Sequence, residues 1–232
     1  MIVLRWAVRI HKWLALVIGL QLFLWLLGGF VMSLLPIEKV RGEHKIADHP
    51  PLAAAPGTLL SLEQAVAAAG WRTVDEATLT GLAGEPVWRL ENGAAVVLVA
   101  AGTGALLSPI SRERAVQIAD HDFAPDAGIK SARLLSDPPP EYGPGLPAWQ
   151  VVFDDKGETR LYIDPQSGVV RARRSSMWRV FDFFWRLHVM DYDDGADFNH
   201  PLLVISAALG VTVVVAGMII LLFRIRRSLL IK

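Results

Sequence analysis

The sequence predicts an α+β membrane protein in which two transmembrane helices flank one folded extracytoplasmic domain. Three observations predict it. Two long uncharged apolar runs lie near the ends of the 232-residue chain, basic residues cluster on the terminal side of both, and the stretch between them carries helical and strand patterns in turn.

The first run extends from Leu14 to Leu35 with only Gln21 and Ser33 as polar side chains. At 1.5 Å per residue, about 22 residues cross a hydrocarbon core of about 30 Å. Leu202 to Phe223 repeats the pattern. Both runs are apolar all round, whereas a soluble helix shows one apolar stripe. Arg5, Arg9 and Lys12 precede the first run, and Arg224, Arg226, Arg227 and Lys232 follow the second. The opposite flanks are mixed (Glu38, Lys39, Arg41, Glu43) and acidic (Asp191, Asp193, Asp194, Asp197). Positive charge stays inside, so both termini are expected in the cytoplasm. The first run exceeds the apolar core of a signal peptide, and the small-residue cluster Ala53-Ala54-Ala55 lies far beyond it. It reads as an uncleaved signal anchor.

Residues 1–36 are thus the N-terminus and first span, and 200–232 the second span with its basic tail. Residues 37–58 read as a linker, with Pro50, Pro51, Pro56 and Gly57 around an alanine run. Ser61 and Gln64 have capping-box spacing and open a helix that runs to Ala69 and stops at Gly70. Strands are expected at Ala77 to Leu82 and Val87 to Glu91, separated by Gly84, Glu85 and Pro86. Asn92-Gly93 signals a hairpin into Ala95 to Ala101, and Gly102-Thr103-Gly104 turns the chain again.

The same order then recurs. A helix begins at Ser111, with Ala115 and Val116 echoing Ala65 and Val66, and strands follow at Ile129 to Leu135, Ala148 to Phe153 and Thr159 to Ile163. Pro86-Val87-Trp88 aligns with Pro147-Ala148-Trp149, and Thr103-Gly104-Ala105-Leu106 with Ser167-Gly168-Val169-Val170; Asp154 to Gly157 lengthens the second hairpin. The domain is expected to hold two tandem units, 59–108 and 109–174. Each, at about 50 to 60 residues, is too small to bury a good core alone. Residues 175–199 form an aromatic helix and an acidic turn. Trp178, Phe181, Phe184 and Trp185, interleaved with Arg179, Asp182 and Arg186, suit a helix lying in the bilayer interface, with Trp13, Trp178, Trp185 and Tyr192 as anchors.

Three motifs resemble the PepSY domain proteins with associated transmembrane helices. One is the hairpin ending Asp164-Pro165-Gln166-Ser167-Gly168-Val169-Val170, with Trp88, Gly104, Trp149, Asp164 and Gly168 as the repeat positions. The second is Arg9-x-His11-Lys12-Trp13-Leu14 leading to Gly19, and the third is Leu187-His188 shortly before the last span. The resemblance implies two PepSY-like units of helix plus antiparallel sheet, placed in the periplasm by a bacterial inner-membrane protein. It also implies haem b as a candidate cofactor, since four-span relatives are thought to carry haem for reducing ferric siderophores.

The candidate ligands are His11 at the inner edge and His44, His188 and His200 at the outer one. Each has an ordinary reading: headgroup contact for His11, interface polarity for His44 and His188, and a helix start at His200-Pro201 with Asn199 as cap. The second span carries no His near its cytoplasmic end, so a haem at His11 needs a partner chain or a symmetry mate. The four aspartates near Gly195 depart from a calcium loop, because Leu202 falls where that loop needs its Glu. No metal site is expected there.

The chain has no cysteine, hence no disulfide or thiolate site. Its formal net charge of +0, with no basic stretch beyond the membrane flanks, argues against nucleic acid as a partner. No G-x-S-x-G, phosphate loop or H-E-x-x-H occurs, which leaves at most the role of a subunit in a membrane oxidoreductase. Two functions lead, with a purely structural assembly factor for a larger membrane complex as a third. One is a binding or regulatory module acting on a membrane or periplasmic partner, or within a homo-oligomer. The other is a haem b electron-transfer subunit reducing a ferric siderophore or a flavin carrier.

Overall fold

A computed structural model describes the chain except for residues 1, 51, 53–56, 138, 140, 144–146, 193, 194, 196, 198, 231 and 232. The alanine run of the linker, Asp193 and Asp194 therefore lie outside the described residues. The chain divides into a helical unit, Met1–Pro36 with Val180–Lys232, and a central unit, Ile37–Arg179.

In the helical unit, α1 (Ile2–Leu34) and α6 (Pro201–Leu230) pack on each other. Both are long and apolar enough to span a bilayer. They outrun the apolar segments because nothing in the charged flanks breaks a helix; Pro36 lies just beyond the end of α1 and Pro201 opens α6. Leu16 is 73% exposed and Leu26 75%. A soluble core helix buries such residues, whereas lipid covers them in a membrane protein. At Gly210 the side chains of α1 pack directly on the backbone of α6, since a Cβ there would sit 3.2 Å from the Leu22 methyl.

The central unit begins with a short helix, α2 (Ile37–Arg41), and a 3₁₀ turn at Glu43–Lys45, where a linker was expected. Val40 is buried, and Lys45 donates to Asp155 and to Thr159 at 2.7 Å each. These contacts over more than a hundred residues order a segment whose local sequence shows no periodicity.

Next come α3 (Leu62–Ala68) and the antiparallel sheet β1 (Glu76–Leu82), β2 (Glu85–Asn92), β3 (Ala95–Ala100) in the order β1-β2-β3. Ser61 and Gln64 form the anticipated capping box. The first hairpin is tighter than expected. Leu82 pairs with Glu85 across a two-residue turn, Ala83-Gly84, both at positive φ, and Glu85 and Pro86 belong to β2. A turn with both residues left-handed matches the twist of the strands, so it prevails over the breaking tendency of Pro86.

Then α4 (Arg112–Asp122), capped by Ser111, leads into β4 (Ile129–Leu135), β5 (Ala148–Phe153), β6 (Arg160–Ile163) and β7 (Val170–Arg174), paired in that order. Strand β7 was not foreseen. Its sequence is arginine-rich, and pairing with β6, not apolar alternation, holds it. The corresponding stretch after β3 makes only the single bridge Val99↔Leu106.

Period-2 alternation gives the first sheet two buried faces. Leu90 and Val99 meet Ala65 of α3, while Val87 and Leu98 join Ile118 of α4 and Val151, Phe153 and Leu161 of the second sheet in one core. Gly168 closes that core at φ +66°, where a Cβ would stand 2.6 Å from Leu82. Helix α5 (Ser176–Val189) follows, and the boundary between the two units falls within it.

Candidate functional site

Three of the four candidate imidazoles lie in the helical unit. On α1, His11 Nδ1 donates to the backbone oxygen of Val213 at 2.9 Å. In an α-helix that oxygen also accepts the N–H of Gly217. Residue 217 must stay small for His11 to reach it, because a Cβ there would lie 3.1 Å from the imidazole. His188, on α5, donates from Nδ1 to the oxygen of Trp25 at 3.3 Å, over a Gly28 whose Cβ would meet Phe184 O at 3.4 Å. His200 is different. Its Nε2 donates to Val189 O at 2.9 Å and its Nδ1 accepts from Leu203 N at 3.3 Å, so His200 and not Asn199 caps α6.

These bonds fix the chemistry of each ring. Carbonyl oxygens only accept, so His11 and His188 carry their proton on Nδ1 and keep the Nε2 lone pair for a ligand. Both nitrogens of His200 are engaged. The donor set can therefore offer a haem iron one imidazole from His11 or one from His188. It does not offer both to one haem, since Trp25 lies 14 residues beyond His11 on α1, about 21 Å along the axis. Within the helical unit the residues do not fit a bis-histidine haem. His44 sits exposed in the 3₁₀ turn of the central unit.

The aromatic candidates divide. Trp13 and Tyr192 are each 59% exposed, whereas Trp185 donates to Gly195 O at 3.0 Å and Trp178 lies 4.2 Å beneath the Arg174 guanidinium. The hairpin positions share one geometry. Trp88 Nε1 donates to Leu60 O at 3.0 Å and Trp149 Nε1 to Ile110 O at 3.1 Å, in each case the residue before a serine helix cap. Gly104 and Gly168 both take positive φ and each donates to the carbonyl four residues back. Asp164 accepts from the backbone of Gln166 and Ser167 and from Arg171. Burial opposes its ionisation, but these bonds prevail and hold its pKa below the ordinary value.

Charged pairs that no local pattern announces complete the central unit. Arg173 grips Asp122 through two nitrogens. Glu141 accepts from Tyr162 Oη at 2.6 Å and from Arg160 at 2.8 Å, beneath a stack of Tyr142 on Tyr162. Burial raises Tyr162 first, and its bond to Glu141 adds to this, taking it to about 12. Glu141 is lowered, because Tyr162 and the two arginines outweigh its own burial. Their partners lie far apart in sequence, so no motif could have disclosed them.

Fold and site together define a class: a membrane protein whose two spanning helices carry an α+β unit of two antiparallel sheets, each preceded by a helix. The family model for the PepSY-associated TM region matches residues 8–232, and the chain belongs to that family. No curated protein and no solved structure matches it.

Proposed function

We propose that the protein is a membrane-anchored PepSY-type binding or regulatory module that acts on a membrane or periplasmic partner, with its central unit in the periplasm and both termini in the cytoplasm. The observation that carries this reading is a folded α+β unit with its own core, borne between two lipid-exposed helices in a chain of this family. The flanking charges support the orientation, and the matched tryptophan and glycine geometries support two copies of one unit. The test is capture of membrane and periplasmic proteins by the full-length chain in its own membranes, alongside deletion of the gene. A partner retained by the full chain and lost with Ile37–Arg179 is expected. No retained partner, together with unchanged exported activities on deletion, would refute the reading.

A second reading has one observation in its favour, the Nε2 lone pairs of His11 and His188. If each is completed by an imidazole of another chain, the protein is a haem b electron-transfer subunit of a membrane reductase. When bound, haem would supply one-electron transfer, and this chain would contribute one axial nitrogen held by a backbone carbonyl. Dithionite-reduced membranes should then show a b-type band that His188→Ala or His11→Ala removes. No band, with neighbouring membrane proteins co-expressed, sinks this reading.

A further inference from the structure

The central unit contains a cleft of about 400 Å³ that neither reading uses. One wall is the face of the first sheet that carries Thr78, Thr80 and Arg89; the other is formed by His121 of α4, by Ser167 and by Arg173. Deeper in the cleft, Leu82, Val87, Leu98 and Ile118 close it with the apolar core.

Two polar atoms of this lining are buried with no hydrogen-bond partner among the described residues, Arg89 Nε and Ser167 Oγ. Ser167 is only 4% exposed. In the first half of the domain the equivalent hydroxyl, Thr103 Oγ1, is used, accepting from Ala105 N. An orphaned buried donor is costly in a folded protein, and such atoms mark places where something else completes the bond. Arg89 spends Nη2 on Glu91 at 2.8 Å, which leaves its Nε–H unmatched. The lining carboxylate, Asp122, is taken by Arg173. Arg89 Nε–H can only donate and the Ser167 hydroxyl can donate as well, so a ligand that brings acceptors satisfies both.

The border of the cleft suggests what carries them. Strand β1 pairs with β2 on one side only, so its outer edge has unpaired backbone groups among the described strands. A strand added to that edge would place alternate side chains on the face of Thr78, Thr80 and Arg89. We propose that an extended segment of a partner polypeptide adds to the edge of β1 and sets an acidic side chain into this cleft, where Arg89 and Ser167 donate to its carboxylate. This deepens the module reading and rests on it.

The test uses the full chain in detergent or nanodiscs. The probes are the acetylated and amidated peptide Thr-Val-Thr-Glu-Thr-Val-Thr, the same peptide with Gln for Glu, and N-acetylglutamate. The Glu peptide should shift the ¹⁵N resonance of Arg89 Nε, identified by its absence in Arg89→Lys, and bind roughly tenfold more tightly than the Gln peptide. Ser167→Ala should weaken the Glu peptide several-fold while leaving the melting temperature unchanged or higher, because it removes an unsatisfied hydroxyl. A purely structural Ser167 would not give that combination. Equal binding of the two peptides, no binding at millimolar concentration, or N-acetylglutamate binding as tightly as the peptide would each overturn the proposal. Failure here is separable from failure of the module reading: cellular partner capture that survives both Arg89→Lys and Ser167→Ala overturns the cleft and leaves the module standing.

Discussion

Trp149 donates its indole N–H to the carbonyl of Ile110, the residue just before the cap of α4, and so ties the middle of the second sheet to the start of the helix that packs on it. Trp88 makes the same bond to Leu60 before α3. A phenyl ring keeps most of the apolar contact but strands the carbonyl. Trp149→Phe is expected to destabilise the central unit by about 1–2 kcal/mol, and Trp88→Phe by a similar amount. Urea unfolding monitored by circular dichroism measures both.

The carboxylates of the central unit make it sensitive to acid. Burial opposes ionisation of Glu141, Asp155 and Asp164, yet in each case hydrogen bonds and neighbouring cations hold the pKa below the ordinary value. A lowered folded pKa gives stability that is present above the unfolded pKa and is lost as pH falls through the folded one. The melting temperature should drop below about pH 4, and less steeply in Glu141→Gln. At the other extreme, Tyr162 is raised to about 12, so its contribution is full below its ordinary value and lost as pH rises towards 12. Tyr162→Phe should flatten that alkaline limb, read by thermal melts across pH.

Gly217 admits His11 to Val213. A Cβ at 217 would lie 3.1 Å from the imidazole, so Gly217→Val must push the ring away and break the bond between α1 and α6. Interhelical hydrogen bonds in bilayers contribute on the order of 1 kcal/mol, and this substitution should cost that plus lost packing. His11→Ala should cost less, since it leaves a small gap and not a clash. Unfolding by sodium dodecyl sulfate in mixed micelles compares the two.

The proposed orientation is directly testable because the chain has no cysteine of its own. A single cysteine at the exposed Lys156 should react with a membrane-impermeant maleimide in intact spheroplasts. One at Ser228 should react only after permeabilisation. The reverse pattern would invert the assignment.

Much of the architecture is legible in local stretches of sequence. Both spans, the capping box at Ser61, the helix that starts near Ser111 and the strands at Ile129–Leu135 and Ala148–Phe153 follow from local rules of hydropathy, capping and alternation. Hairpin detail was less legible, because turn type at Ala83-Gly84 depends on how two strands twist together.

What the sequence by itself determined is a two-span membrane protein with a helix-and-sheet unit between the spans, since span length and side-chain period are properties of short stretches of chain. Tertiary structure alone decided that His200 has both nitrogens engaged while His11 and His188 each keep one lone pair, because a ring's tautomer is set by the carbonyl it meets. It alone decided too that Arg89 and Ser167 share one cleft with atoms left unmatched, for they are brought together by packing across the domain and not by spacing along it.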